Sequence, residues 1–213
     1  MTERRLARVA SLAVILLASP LVVGAQPANV PRIGMLMPVP ADIAAPNIDA
    51  FRQGLRDLGY VEGQNFGVEY RYAQGNANLL PDLAAELVRL RVDVIVTWGT
   101  PSALAAKHAT TTIPIVMAAV GDPTGPGIVP SLARPGGNIT GLTSIAVDTE
   151  AKRLQLLKEV VPKAFRVGVL WNPANPFSAL ALKQTQVAAE QLRIKLLVVG
   201  CDWPRSSKML SLR

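Results

Sequence analysis

Residues 92–119 read VDVIVTWGTPSALAAKHATTTIPIVMAA. Val92 to Thr97 is a short apolar run with no polar face, the pattern of a parallel strand covered on both sides. Pro101 to His108 is a short helix, and Ile113 to Ala119 is a second apolar run. Strand, helix and strand within 28 residues form a βαβ unit. The turn between the first two, Thr97-Trp98-Gly99-Thr100-Pro101-Ser102, carries helix-start chemistry. Gly99 permits a tight turn, Thr100 suits a cap, and Pro101 suits a first helical position.

The same alternation extends outward in both directions. Upstream, Arg32 to Met37 (RIGMLM) reads as a strand. Asn47 to Leu58 reads as a helix on the spacing of Ile48, Phe51, Leu55 and Leu58, capped by Asn47 and ended by Gly59. Phe66 to Tyr72 alternates as a strand with Phe66, Val68 and Tyr70 on one face. Leu79 to Leu90 is a helix with Pro81 in its first turn. Downstream, residues 121–138 (GDPTGPGIVPSLARPGGN) break the rhythm as a surface loop with room for one short helix. Ile139 to Ser144 is a strand, and Thr149 to Val160 is a helix with Thr149 as its cap. Arg166 to Trp171 (RVGVLW) reads as a buried strand, Pro176 to Leu192 as a long helix, and Ile194 to Val199 as a strand. The reading is an α/β chain of two parallel-sheet lobes: residues 26–143 form the first, with the crossover near 138–148, and residues 144–199 form part of a second. Two parallel strands after the crossover helix are too few for an independent sheet domain. Residues 200–213 fall off the pattern.

Composition narrows the class. The chain has 213 residues, half of them hydrophobic and 17% charged, with a net charge of +7. It is long enough to bury a core without disulfides, and too apolar for disorder. One Cys excludes a disulfide framework within the chain. Aromatics are 5%, too few for a base-stacking surface. Residues 1–25 read as a secretory signal peptide. Arg4, Arg5 and Arg8 form a basic start, Val9 to Val23 an apolar stretch, and Val23-Gly24-Ala25 a small-residue cleavage site. The alternative is a membrane anchor, for which the run is shorter than the roughly 20 residues a spanning helix needs. Removing residues 1–25 leaves 19 basic against 14 acidic residues, with no block of like charges. Nucleic acid is not implied as a partner. An exported, periplasmic chain that is not membrane-embedded after cleavage is expected.

Ligands of open α/β sheets bind outside the carboxyl ends of the strands. The exits here are Met37-Pro38, then Gly99 to Ser102, then Gly121-Asp122, and in the second lobe Asn172 to Asn175. The Gly99 turn offers helix N–H groups and the hydroxyls of Thr100 and Ser102 to an anion, or is an ordinary capped helix. Asn175 caps a helix with Pro176 in its first position, and Asn172-Pro173 is a turn signal. Two such helix starts, one per lobe, can face each other across a cleft. Asp122 is the carboxylate at these exits. It either pairs with a ligand ammonium or makes an Asx turn before Pro123. Trp98 and Trp171 offer apolar contact to a ligand, or simply pack. Enzymatic signals are sparse: His108 is the sole His, and no G-x-S-x-G, Walker or dinucleotide fingerprint is present. No catalytic residue, metal or cofactor is expected.

The stretches FRQGLRDLGYVEGQNFGVEYRYAQGN (51–76), LPDLAAELVRLRVDVIVTWGT (80–100), IPIVMAAVGDPTGPGIVPSLARPGGNITGLT (113–143) and KRLQLLKEVVPKAFRVGVLWNPANP (152–176) resemble bacterial ABC-transporter substrate-binding proteins of the tryptophan/tyrosine-type group. The resemblance runs over about 31–199. It implies a type I periplasmic binding protein fold, with two α/β lobes closing on a solute, and an ABC permease and ATPase as partners. It also implies ligand-side positions at the strand exits named above. Family chains continue beyond this point, so the second lobe is expected to be incomplete. The resemblance ends near Gly200, and residues 201–213 are expected to be out-of-frame or foreign sequence on a truncated chain. The rival readings are a remnant that no longer binds and an exported α/β hydrolase.

Overall fold

The computed structural model describes residues 30–144 and 149–201. The proposed signal peptide and nearly all of the off-pattern tail lie outside the described residues. Two parallel sheets are present among the described residues. The first has five strands: β1 (Arg32–Met37), β2 (Gly67–Tyr72), β3 (Val94–Trp98), β4 (Ile115–Val120) and β5 (Ile139–Thr143). Their order is β2-β1-β3-β4-β5. The second pairs β6 (Arg166–Trp171) with β7 (Lys195–Gly200) in register from Arg166↔Lys195 to Trp171↔Gly200. Five α-helices join the strands: α1 (Ala41–Asp57), α2 (Leu80–Arg89), α3 (Gly99–Ala109), α4 (Glu150–Val160) and α5 (Pro176–Gln191). Sheet order reverses between β1 and β3, which makes their carboxyl ends the topological switch point.

The main core lies in the first sheet's lobe. Leu36, Leu80, Leu87, Ile95, Ile115 and Val120 are essentially inaccessible. On α2, Leu80, Ala84 and Leu87 fall one turn apart, so one face meets the sheet. The second lobe has a smaller cluster of Leu154, Ala188, Ala189 and Ile194.

Helix boundaries depart from the sequence reading in two instructive places. α1 begins at Ala41, not Asn47, and Pro46 lies inside it. Pro46 forfeits only one helical hydrogen bond there, whereas Ala44 and Ile48 gain burial on the same face. The helix is entered through the Pro40 carbonyl, which accepts from Ala44 N at 3.0 Å, so Asn47 caps nothing. The far end behaves as expected. Gly59 has φ +84°, and Gly59 N and Tyr60 N donate to the carbonyls of Arg56 and Leu55, a Schellman closure. α3 begins at Gly99, whose φ of +74° turns the chain from strand into helix at once. Thr100 is thereby inside the first turn and does not cap.

Three further expectations change. The 121–138 loop contains no helix, and it is not wholly superficial: Ile128 and Val129 are buried in the main core. β6 is not a buried strand. Its residues alternate between exposed and half-buried, because helices cover one face of a two-stranded sheet. Thr149 stands at the N-cap position of α4, but no side-chain capping bond forms there.

Beside the switch point, Tyr70 and Tyr72 stack with centroids 6.1 Å apart. The Arg52 guanidinium lies 5.3 Å from the Tyr70 ring centre and donates to Glu62 at 2.8 Å. Burial, then the Glu62 charge, push the Tyr70 hydroxyl up to about 12, against the opposing pull of Arg52. Its folded pKa therefore exceeds the unfolded value near 10. The stability it contributes is complete below pH 10 and is lost as pH rises towards 12. A phenolate absorbance titration of the folded chain should show a late component absent from the unfolded chain. A single titration near pH 10 would contradict this environment.

Candidate functional site

A cleft of about 300 Å³ opens at the switch point. Pro38 and Val39 reach it from the exit of β1, Gly75 and Ala77 from the exit of β2, and Trp98, Gly99 and Pro101 from the β3–α3 junction. Ala119 contributes from β4, and Asn172, Ala174 and Asn175 from the β6–α5 turn of the second sheet. The volume is at the small end for ligand pockets. No ionisable side chain among the described residues lines it, so these residues offer a solute backbone dipoles, amides and the Trp98 indole.

The second-lobe wall is pre-shaped by its own hydrogen bonds. Asn175 Oδ1 accepts from Phe177 N at 3.1 Å and caps α5, with Pro176 in the first position. Asn172 Oδ1 accepts from Ala174 N at 2.9 Å. Each asparagine spends its carbonyl on the turn and keeps its Nδ2 amide as a donor. Opposite, the first turn of α3 presents Gly99 and its backbone N–H groups, which have no partner within the helix. Ala119 has φ +53° next to the register shift between Met117 and Val120. A non-glycine residue held in this region at a cleft is stored strain.

Of the nine residues expected at the site, Pro38, Gly99, Asn172 and Asn175 come together at the cleft. Met37 is 2% exposed and packs with Ala44 and Ile48 in a separate small core. Thr100 and Ser102 are completely buried within the first lobe. Gly121 is buried against the Phe177 ring. Asp122 does not line the cleft, and its Oδ1 accepts from Thr124 N, Thr124 Oγ1 and Gly125 N at 2.8–3.0 Å. This is the Asx-turn alternative. Partial burial raises the Asp122 pKa, but the hydrogen bonds from Gly125 and Thr124 outweigh it and hold the group below its ordinary value. Trp98 lines the cleft; Trp171 does not. His108 is exposed in the last turn of α3, a helix length away from Gly99.

The nine expected residues leave out Val39, Gly75, Ala77, Pro101, Ala119 and Ala174, of which Pro101 and Ala174 fall inside exit stretches that the sequence reading named. The exit of β2 carried a readable signal, since Gln74-Gly75 is a left-handed turn directly after a strand. The alanines carry none, as they contribute backbone and shape.

The hydroxyls of Thr97, Thr100 and Ser102 are buried with no hydrogen-bond partner among the described residues. A buried unpaired hydroxyl costs stability that an apolar replacement recovers. Thr97→Val and Ser102→Ala should each be neutral or raise stability by up to about 1 kcal/mol in urea unfolding. A loss above about 1 kcal/mol would show that these hydroxyls have partners.

Comparison with known proteins agrees with this architecture. The family model described as ABC transporter substrate binding protein matches residues 32–205, five residues past the point where the sequence resemblance was expected to end. The Tyrosine-binding protein of Clostridioides difficile is 39% identical over 160 residues, covering 73% of this chain and 46% of that protein. A conserved domain protein from Vibrio cholerae superposes with TM-score 0.74 at 32% identity, over 84% of this chain and 60% of that one. An ABC domain from Streptococcus pneumoniae, solved in complex with L-Trp, gives TM-score 0.71 at 23% identity, over 83% of this chain and 59% of that one. The chain thus spans about half to three-fifths of the length of these relatives. Its fold is that of type I periplasmic binding proteins, with two strands of the second sheet among the described residues. The match over residues 32–205, together with a cleft between two parallel α/β sheets, places the chain in the family of ABC transporter substrate-binding proteins.

Proposed function

We propose that this chain is the exported, non-catalytic solute-binding component of an ABC importer, and that it takes a small amino acid of aromatic type. The observation that carries the proposal is the composition of the cleft. Its walls come from both sheets, its described lining residues are uncharged, and it combines a helix N-terminus with asparagine amides and the Trp98 ring. The α3 start holds the carboxylate, the Asn172 and Asn175 amides donate from the other side, and Trp98 receives the side chain. The name of the Clostridioides difficile relative supports tyrosine as the first solute to test. Ligand contacts from both lobes favour the closed state, and a permease and its ATPase receive the loaded protein. Export rests on the basic start, apolar stretch and small-residue site of residues 1–25.

Calorimetric titration of the chain with L-tyrosine, L-tryptophan and a panel of non-aromatic amino acids tests this reading. One-site binding confined to aromatic members is expected. Asn175→Ala should weaken it about fivefold, the loss of roughly one neutral hydrogen bond. Binding of non-aromatic solutes alone would refute the aromatic assignment. No heat with any member would refute the binding function.

A further inference from the structure

Gly121 has no unusual backbone angle that would require glycine; what it lacks is room. A Cβ built there would stand 2.6 Å from Phe177 Cε2 and closer still to Cδ2 and Cγ. Gly125, four residues on and exposed, lies first against the Asp122 carboxylate of its own turn and next against the same helix. Its Cβ would lie 2.8 Å from Leu180 Cδ1. Phe177 and Leu180 are three residues apart and share one face of α5. The turn that carries both glycines is held by Asp122, whose Oδ1 accepts from Thr124 N and Gly125 N. The first lobe therefore presents two glycines on a hydrogen-bonded turn, and the start of α5 from the second lobe sits against them. Phe177 also donates its backbone N–H to Asn175 Oδ1. Any displacement of Phe177 is passed directly to the cap residue that lines the cleft.

We propose that Phe177, seated on Gly121, is a positioning residue that sets the spacing of the two lobes and so places Asn172 and Asn175 opposite Gly99. The proposal rests on the solute-binding reading of the cleft. It assigns a role to a glycine and a phenylalanine that do not line the cleft. An added methyl at position 121 must push the ring back to an ordinary carbon contact of about 3.5–4 Å, a shift of about 1 Å or more at the start of α5.

The test compares Gly121→Ala, Phe177→Ala and the double variant in the full chain, with two readouts. One is the affinity for L-tyrosine. The other needs no ligand: the distance between spin labels at Asp82→Cys and Lys183→Cys, two exposed positions on the two lobes, in a Cys201→Ser background. Gly121→Ala should lengthen or broaden the label distance and weaken binding about tenfold or more. The double variant should relieve the displacement and regain part of the affinity, since removing the ring makes room for the methyl, while keeping the broader distance distribution expected of Phe177→Ala. A general folding defect would not be rescued by deleting a second packed group. An unchanged distance in Gly121→Ala, or a double variant no better than the worse single one, overturns the proposal. If Gly121→Ala does not fold, Phe177→Ala alone decides. A label distance as narrow and as centred as that of the parent chain then overturns the proposal. If L-tyrosine fails to bind the parent chain, the choice of tyrosine falls while the label distances still judge the seating of Phe177 on Gly121.

Discussion

Leu87→Ala should lower the stability of the chain by about 3–5 kcal/mol, the upper part of the range for a large-to-small core change. Leu87 is fully buried on α2 in the main core. Its methyl groups lie where a Gly34 side chain would be: a Cβ on Gly34 would meet Leu87 Cδ2 at 3.0 Å and Cδ1 at 3.1 Å. The leucine thus fills space above a strand position that has no side chain. Truncation leaves a cavity that neither Gly34 nor the backbone of β1 can fill by rotamer change, so relaxation recovers little. Urea unfolding should show a lower midpoint with an unchanged slope. A loss below about 1 kcal/mol would mean that α2 packs on β1 differently from the arrangement described here.

Asp122→Ala should cost about 1–2 kcal/mol. That is less than three charge-assisted hydrogen bonds suggest, because the carboxylate is partly open to solvent and its bonds are correspondingly screened. The loss should depend on pH in a defined direction. The folded pKa of Asp122 lies below its unfolded value of 3.8. The stability it contributes is therefore present above about pH 4 and is lost as pH falls through the folded pKa. Thermal melts of parent and variant should converge as pH drops below 4. Asp122→Asn retains the Oδ1 acceptor and should recover most of the neutral-pH stability. It also separates the two roles of this residue: an unchanged solute affinity fits the Asx turn, and a large loss would fit a salt bridge to a ligand ammonium. Curves for Asp122→Ala and the parent that stay parallel down to pH 2 would contradict the turn's electrostatics.

The parallel-sheet architecture was legible because β1, β3 and β6 are written as apolar runs between turn residues, and their observed limits differ from the sequence reading by no more than two residues. The helix starts were legible only where a side chain carries the cap. Asn175 before Pro176 caps α5 as read, whereas α3 starts on a backbone angle at Gly99 and α1 starts through a proline carbonyl. Neither device leaves a sequence signature distinct from a loop. Asn47 illustrates the cost: read as the cap, it hides the six helical residues Ala41 to Pro46. The cleft was half legible for a similar reason. Asn172, Asn175 and Gly99 are turn residues at strand exits, where topology directs attention. Ala77, Ala119 and Ala174 line the same cleft through backbone and shape alone. Thr100 and Ser102 looked like anion ligands because they are polar near a helix start. In the fold, the early start of α3 turns both into the protein interior. The apparent burial of β6 failed because apolar residues reveal what a strand can bury, not how many layers cover it.

The central claim is that one solute is held between the Gly99 end of α3 and the Asn172–Asn175 turn of the second lobe. Amide NMR of the nitrogen-15-labelled chain during titration with L-tyrosine tests it most directly. The account predicts that the Gly99 backbone amide and the Asn172 and Asn175 side-chain amides shift together and saturate at one stoichiometric equivalent. Saturable shifts confined to one lobe, or located away from these three residues, would contradict it.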